Sequence, residues 1–157
     1  VIMGFDVYGR NPQLVGEKPT IDWSEQPSDE ERDKFFEDLA KFEQDNPGYY
    51  FRNNVWWWRP LWSYVCDYIA PDILTDEDKR GGEFNDNHHI NAIKANYIAD
   101  KIAEAHENGE LQKFADLYVK SREQLEDDHW AKSYPFDVDN VVEFGKFCKA
   151  SGGFEIG

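Results

Sequence analysis

The residues with the clearest chemical potential surround an aromatic run in the middle of the chain. Arg52 and Arg59 bracket the sequence NNVWWW, residues 53–58. A guanidinium group binds phosphate or carboxylate and also stacks on aromatic rings. Indole rings offer flat faces for the organic part of such a ligand. We therefore predict a site for a small anionic ligand here. Its predicted residues are Arg52, Asn53, Asn54, Trp56, Trp58 and Arg59.

A helix that begins beside this run would strengthen the site. Pro60 suits the first turn of a helix, because its fixed φ and missing N–H are tolerated there. We predict a helix over residues 60–69, with Leu61, Tyr64, Val65 and Tyr68 facing inward. Its free backbone N–H groups would lie just beyond Arg59 and attract an anion. The alternative is that both arginines only offset acidic neighbours, such as Asp6 or Asp67.

The tryptophans themselves allow two interpretations. If residues 55–58 are extended, Val55 and Trp57 face opposite to Trp56 and Trp58, so both faces carry large side chains. We expect at least two of the rings to belong to the core, where Trp57→Ala or Trp58→Ala would be costly. The remaining rings could stack on a ligand or a partner.

Other candidates for chemistry are weaker. His88 and His89 are adjacent, which rarely lets both bind one ion, so we expect histidines at the start of a helix and no metal site. Asp6 is expected to face outward from a strand. The sequence contains no phosphate-binding glycine loop and no nucleophile elbow. We expect no cofactor and assign no catalytic residue.

The net charge of −15 limits the classes of partner. It argues against direct nucleic-acid binding, which depends on clustered Lys and Arg. A solvated acidic surface, adaptation to salt and imitation of nucleic acid all remain open. No apolar run approaches the roughly 20 residues of a membrane span, and the first residues lack the pattern of a secretory signal. Cys66 and Cys148 are too few for a disulfide framework, which favours buried thiols and a cytoplasmic protein.

The local patterns predict an α+β fold in one domain, residues 1–157. The segments GFDV near the start and GFEI near the end are short strands that we expect to pair. About five helices would pack on this small, antiparallel sheet. SDEE at residues 28–31 is a capping box that opens a charged helix over 28–46, which could be an insertion. Asn91 and Asp137 are predicted caps, and residues 75–89 a polar loop.

Three stretches carry a resemblance to known proteins: MGFDVYGRNP, YYFRNNVWWWRPLWSYV and YPFDVDNVVEFGKFCKASGGFEI. Together they resemble a group of small, functionally uncharacterised proteins of phage and bacterial genomes. The three stretches lie in this order near the start, in the middle and near the end of the chain. The resemblance implies a cytoplasmic protein, such as a phage accessory factor, and no particular activity.

These observations favour a non-catalytic, acidic, cytoplasmic binding protein of phage or bacterial type. It would act on a host protein or hold a small anionic ligand, and it could form a homo-oligomer. The alternative is a small enzyme that acts on a nucleotide-like or other anionic metabolite. A cleft with converging ionisable groups would favour the enzyme, and an exposed aromatic or acidic surface the binding protein.

Overall fold

The computed structural model describes residues 4–157. Within this range, a small antiparallel sheet brings the two ends of the chain together. Its four strands within that range are β1 (Gly4–Gly9), β2 (Tyr50–Asn54), β3 (His88–Ile90) and β4 (Phe154–Ile156). They lie in the order β2-β1-β4-β3, and every neighbouring pair is antiparallel. Because β1 pairs with β4, the predicted pairing of the terminal strands is confirmed.

Six α-helices within residues 4–157 complete the fold and confirm the α+β prediction. They are α1 (Asp29–Asp45), α2 (Val55–Tyr64), α3 (Asp76–Gly81), α4 (Ala92–Glu107), α5 (Glu110–Glu123) and α6 (Val138–Ser151). Short 3-10 turns lie at Trp23–Glu25 and Trp130–Ser133. Helices α4 and α6 pack together, and α6 also contacts β1 and β2.

One continuous core lies between the helices and one face of the sheet. Strand β1 buries Phe5 and Val7 on this face, while Asp6 points to the other, as predicted. The core is rich in aromatic rings, which stack on one another or meet edge to face. Its largest fully buried side chains include Trp58, Phe5, Phe144, Phe147 and Phe154. Both cysteines are free and buried.

Polar side chains cap the helices where the sequence predicts them. Ser28 and Glu31 form the capping box: Glu31 N–H donates to Ser28 Oγ at 3.2 Å, and Ser28 N–H donates to the Glu31 carboxylate at 2.8 Å. Asn91 and Asp137 likewise accept backbone N–H groups at the starts of α4 and α6. These boundaries are encoded locally, because a cap needs only residues within one turn.

The prediction for the start of α2 is wrong. The helix begins at Val55, five residues before Pro60, because Asn54 Oδ1 accepts the N–H of Trp57 at 3.2 Å and caps it there. Residues 55–58 are therefore helical and not extended. In a helix, residues four apart share one face, so Trp58 and Trp62 stack with ring centroids 5.5 Å apart.

A π-helical turn explains a second error. Residues Val65–Ile69 continue α2 as a π-helix, in which the hydrogen bonds span one residue more than in an α-helix. Leu61, Tyr64 and Val65 are buried as predicted, and so are Cys66 and Ile69, but Asp67 and Tyr68 within the turn are exposed. Tyr68, which we predicted to face inward, is 65% exposed.

The predicted loop over residues 75–89 contains both a helix and a strand. Thr75 and Asp78 form a capping box that opens α3. His88 and His89 belong to β3, which pairs with β4, and not to the start of a helix. The sequence signal for α3 was present, with Asp in the place where a capping box usually has Glu or Gln.

Helix α1 lies largely outside the core. Phe42 is its one buried residue. Asn46, directly after the helix, joins it to the loop that precedes it: its side chain exchanges hydrogen bonds with the backbone of Val15 at 2.7 and 3.0 Å. The interpretation of residues 28–46 as an insertion stays a prediction.

Candidate functional site

The structure divides the six predicted ligand-binding residues among different places. Arg52, Asn53 and Asn54 line one shallow cavity of about 430 Å³ beside the start of α6. Trp58 and Arg59 border a second cavity, of about 340 Å³, on the other side of α2. Trp56 is 37% exposed, and its ring meets the ring of Tyr134 at 4.9 Å between centroids. The six do not form one site.

Each residue of the first group already has a partner in the fold. Arg52 Nε lies 3.4 Å from Asp6 Oδ1, which is the structural ion pair that we weighed as the alternative. Asn53 exchanges two amide hydrogen bonds with Asn140, at 2.9 and 3.0 Å. Asn54 caps α2.

The surroundings of this group do not favour an anion. Three acidic residues line the same cavity as Arg52: Asp137, Asp139 and Glu143. The free N–H groups of α2 are here, at Val55, and not beyond Arg59 as we expected.

Trp58 is a core residue. Its ring is fully buried and stacks between those of Phe5 and Trp62, both at 5.5 Å between centroids. Its indole N–H donates to the carbonyl of Gly82 at 2.7 Å. Trp62 is also buried, so two of the four tryptophans in residues 53–65 belong to the core, as expected, whereas Trp56 is exposed and Trp57 is only partly buried. Trp58 has no exposed face on which a ligand could stack.

Arg59 also faces a cleft that the sequence did not predict. It runs between α2 with its π-helical turn and α5, and consists of two cavities of about 370 and 330 Å³. The two cavities share the side chains of Tyr64, Tyr68 and Phe114 as a common wall. We call the pair the aromatic cleft, and the 330 Å³ cavity, which Arg59 borders, its arginine side.

Aromatic rings build the wall of the cleft. The Phe114 ring packs on those of Tyr64 and Tyr68, at 4.6 and 4.9 Å between centroids. Tyr64 is buried, whereas Tyr68 and Trp130 lie at the opening and are 65% and 70% exposed. Tyr118 is fixed by the hydrogen bond that its hydroxyl donates to the carbonyl of Tyr134.

Two guanidinium groups give the arginine side its charge. Arg122 lies over the Tyr118 ring at 3.9 Å from the centroid. Its Nε is buried and has no hydrogen-bond partner within residues 4–157. In the same described range, neither Arg59 nor Arg122 forms an ion pair. Asp67 is the carboxylate that lines this side, so its formal charge is one positive in a chain of −15.

Two titratable groups at or beside the cleft, Tyr64 and Cys66, are held in their protonated forms. Burial, together with the charge of Glu110, raises the pKa of Tyr64 to about 12, so the phenol stays protonated. Burial and the charge of Asp67 likewise raise the pKa of Cys66 to about 12. A thiol must ionise to act as a nucleophile, so the raised pKa disfavours that role for Cys66 at neutral pH. The cleft can supply positive charge, ring faces and hydroxyl groups.

A buried ionic network lies elsewhere, where α3, β3 and α4 meet. The Asp78 carboxylate accepts hydrogen bonds from His88 Nε2 at 2.9 Å and from Lys94 Nζ. Burial alone would raise the pKa of Asp78, but these hydrogen bonds and that from Thr75 N–H lower it to about 2. Within residues 4–157, no cluster of three or more His, Cys, Asp or Glu side chains is suited to a metal ion.

No protein-family model, curated protein or solved structure matches this chain. Within residues 4–157, none of the helices combines the length and the apolar character that crossing a membrane requires. The geometry and the charge of the aromatic cleft are therefore the best guide to function.

Proposed function

We propose that this chain is a non-catalytic binding protein that holds a small anionic ligand in the aromatic cleft. One observation carries the proposal: Arg59 and Arg122 face an aromatic cleft without an ion pair, and the Arg122 Nε is buried without a hydrogen-bond partner. A buried donor left unpaired costs about 1–3 kcal/mol. An anion bound at the outer nitrogens of the Arg122 guanidinium would compensate its unpaired charge, so the free site favours such a ligand.

The size and the polarity of the cleft support a small ligand. Its two cavities, of about 370 and 330 Å³, fall at the lower end of the range for small-molecule pockets, roughly 300–1,000 Å³. Such pockets are mostly apolar, with a few polar groups that orient the ligand. Here, Arg59 and Arg122 would orient the anion while the rings hold its organic part.

The setting of the protein is also part of the proposal. We propose a cytoplasmic protein of phage or bacterial type. The three motifs that resemble phage and bacterial proteins support it, and two buried, free thiols fit a reducing compartment. Exposed apolar surface around the cleft, at Tyr68, Leu117 and Trp130, also supports association into a homo-oligomer.

The alternative is a small enzyme that acts on a nucleotide-like or other anionic metabolite in the same cleft. Asp67 favours it, because a carboxylate beside a bound anion could act as a general base. Incubation with phosphorylated metabolites, followed by phosphorus NMR, tests this alternative. New resonances that disappear in Asp67→Asn would establish the enzyme and displace the non-catalytic proposal.

Loss of either cleft arginine is expected to weaken anion binding. Hydrogen bonds to charged groups contribute about 1.5–3 kcal/mol, so Arg59→Gln or Arg122→Gln should weaken binding roughly tenfold or more. Isothermal titration with phenyl phosphate measures this. Arg32→Gln is the matched control, since Arg32 is exposed on α1 and pairs with Asp29 at 2.7 Å.

A fourth variant distinguishes the cleft from the site that the sequence predicts. Arg52→Gln should leave the affinity for phenyl phosphate unchanged, since Arg52 pairs with Asp6 outside the cleft. Loss of binding in Arg52→Gln with no change in Arg59→Gln would place the site at the start of α2 instead. No binding by the wild type would reject the proposal altogether.

A second candidate function, action on a host protein, is favoured by α1. Five carboxylates of this helix are exposed: Asp29, Glu30, Asp33, Glu37 and Asp38. Residues spaced by four share a helix face, so Asp29, Asp33 and Glu37 form one row. A row of exposed charges on a stiff helix could bind a basic, DNA-binding protein in place of DNA.

This candidate predicts capture that depends on salt and on α1. Wild-type protein should retain a DNA-binding protein from host lysate at low salt and lose it at moderate salt, since exposed charges are screened. Duplex DNA should compete for the captured protein. The variant Asp29→Asn/Asp33→Asn/Glu37→Gln should capture at least several-fold less, measured by mass spectrometry. Equal capture by this variant would contradict the candidate function and would mean that the charge of α1 serves only solubility.

A further inference from the structure

We infer that the ligand of the aromatic cleft is an aromatic monophosphate, of the nucleoside 5′-monophosphate type. This inference rests on the proposed function, because it names the class of ligand for the same cleft. Three features of the arginine side lead to it: its rings, its charge and its volume.

The rings point to a planar group in the ligand. Six aromatic side chains line the arginine side of the cleft. They are Tyr64, Tyr68, Phe114, Tyr118, Trp130 and Tyr134. Most of them pack on one another or under Arg122, but Trp130 and Tyr68 stay largely exposed at the opening. Exposed rings beside a pocket offer the stacking face that a nucleobase or another flat ring uses.

The charge points to a single phosphate. A phosphate monoester carries about −1.5 to −2 charge at pH 7, which two guanidinium groups can match. Guanidinium also fits phosphate oxygens in a bidentate manner. A triphosphate would bring further negative charge towards Asp67 in a chain of net charge −15. Repulsion should therefore make a triphosphate a poorer ligand than a monophosphate.

The volume and the remaining hydroxyl groups fit one nucleotide. The arginine side has a volume of about 330 Å³, which suits a single small molecule. Ser63 and Tyr68 also line it, and their hydroxyl groups make no hydrogen bond to another residue within 4–157. They can donate to, or accept from, a sugar or a base.

Calorimetric titration of the full chain with AMP, ribose 5-phosphate and ATP tests the inference. Stacking of one base strengthens binding about tenfold, so AMP should bind about tenfold more tightly than ribose 5-phosphate. ATP should bind no more tightly than AMP. Trp130→Ala should lower the affinity for AMP about tenfold and leave the affinity for ribose 5-phosphate unchanged. Trp23→Ala is the control, because Trp23 is also exposed but packs beside α1, away from the cleft.

The outcomes separate this inference from the proposed function. Equal affinity for AMP and ribose 5-phosphate would overturn the inference that the ligand carries an aromatic group. The proposal of an anion-binding cleft would still stand. Tighter binding of ATP than of AMP would overturn the monophosphate. If none of the three phosphates binds, both the inference and the proposed function fail.

Discussion

Trp58→Ala is expected to lower the free energy of unfolding by about 3–5 kcal/mol, the usual cost of removing a large buried ring. Trp58 is fully buried between Phe5 and Trp62, and Phe144 meets its edge at 5.5 Å between centroids. Truncation would leave a cavity in the aromatic core and an unpaired carbonyl at Gly82. Urea denaturation of each variant measures the loss.

Two further variants separate the causes. Trp57 is only partly buried, so Trp57→Ala should cost clearly less than Trp58→Ala. Trp58→Phe keeps a ring but removes the indole donor to Gly82, and should cost about 1–3 kcal/mol. A loss below about 1 kcal/mol for Trp58→Ala would contradict its place in the core.

Asp78→Asn is expected to destabilise the protein by about 3 kcal/mol, because it leaves the positive charge of Lys94 partly buried and uncompensated. Only 8% of the Asp78 side chain is exposed, and it joins His88 in β3 to Lys94 in α4. Asp100→Asn is the matched control. Asp100 pairs with Lys149 at 2.9 Å in an exposed position, so its loss should cost less than about 1 kcal/mol.

The Asp78 carboxylate should also make the free energy of unfolding depend on pH in the acidic range. Hydrogen bonding lowers the pKa of Asp78 from 3.8 to about 2 in the folded state. A lowered pKa means that the stabilisation is present above about pH 4 and is lost as the pH falls towards 2. The shift corresponds to about 2 kcal/mol. Urea denaturation at a series of pH values should show this loss in wild type and a shallower one in Asp78→Asn. Identical slopes would contradict the network.

Local signals explain the parts of the fold that the sequence predicts correctly. The capping box at Ser28 and the caps at Asn91 and Asp137 each involve residues within one turn. The two terminal strands are recognisable from short alternating patterns. Their pairing then follows from the need of backbone groups for partners.

Competing signals explain the errors around the tryptophans. Asn54 is a good N-cap, yet Pro60 is an equally good first residue, and the sequence alone does not rank them. The aromatic and β-branched residues between them favour strands slightly, so residues 55–58 were predicted to be extended and not helical. The π-helical turn has no sequence signature here, so the exposure of Tyr68 could not be predicted.

The aromatic cleft depends on contacts between distant parts of the chain. Arg59 belongs to α2 and Arg122 to the end of α5, while Trp130 follows in a 3-10 turn. Nothing in their spacing indicates that they meet. The sequence predicted that Arg59 and Arg52 bind an anion together, but Arg52 forms an ion pair with Asp6.

An NMR titration with phenyl phosphate, following the indole N–H resonances of the six tryptophans, tests the central claim most directly. Trp130 lies at the opening of the aromatic cleft, Trp57 beside Arg52, and Trp23 beside α1. We predict a saturable shift of the Trp130 resonance and no change at Trp23. A saturable shift of Trp57 instead, or no saturable shift at all, would contradict ligand binding in the cleft.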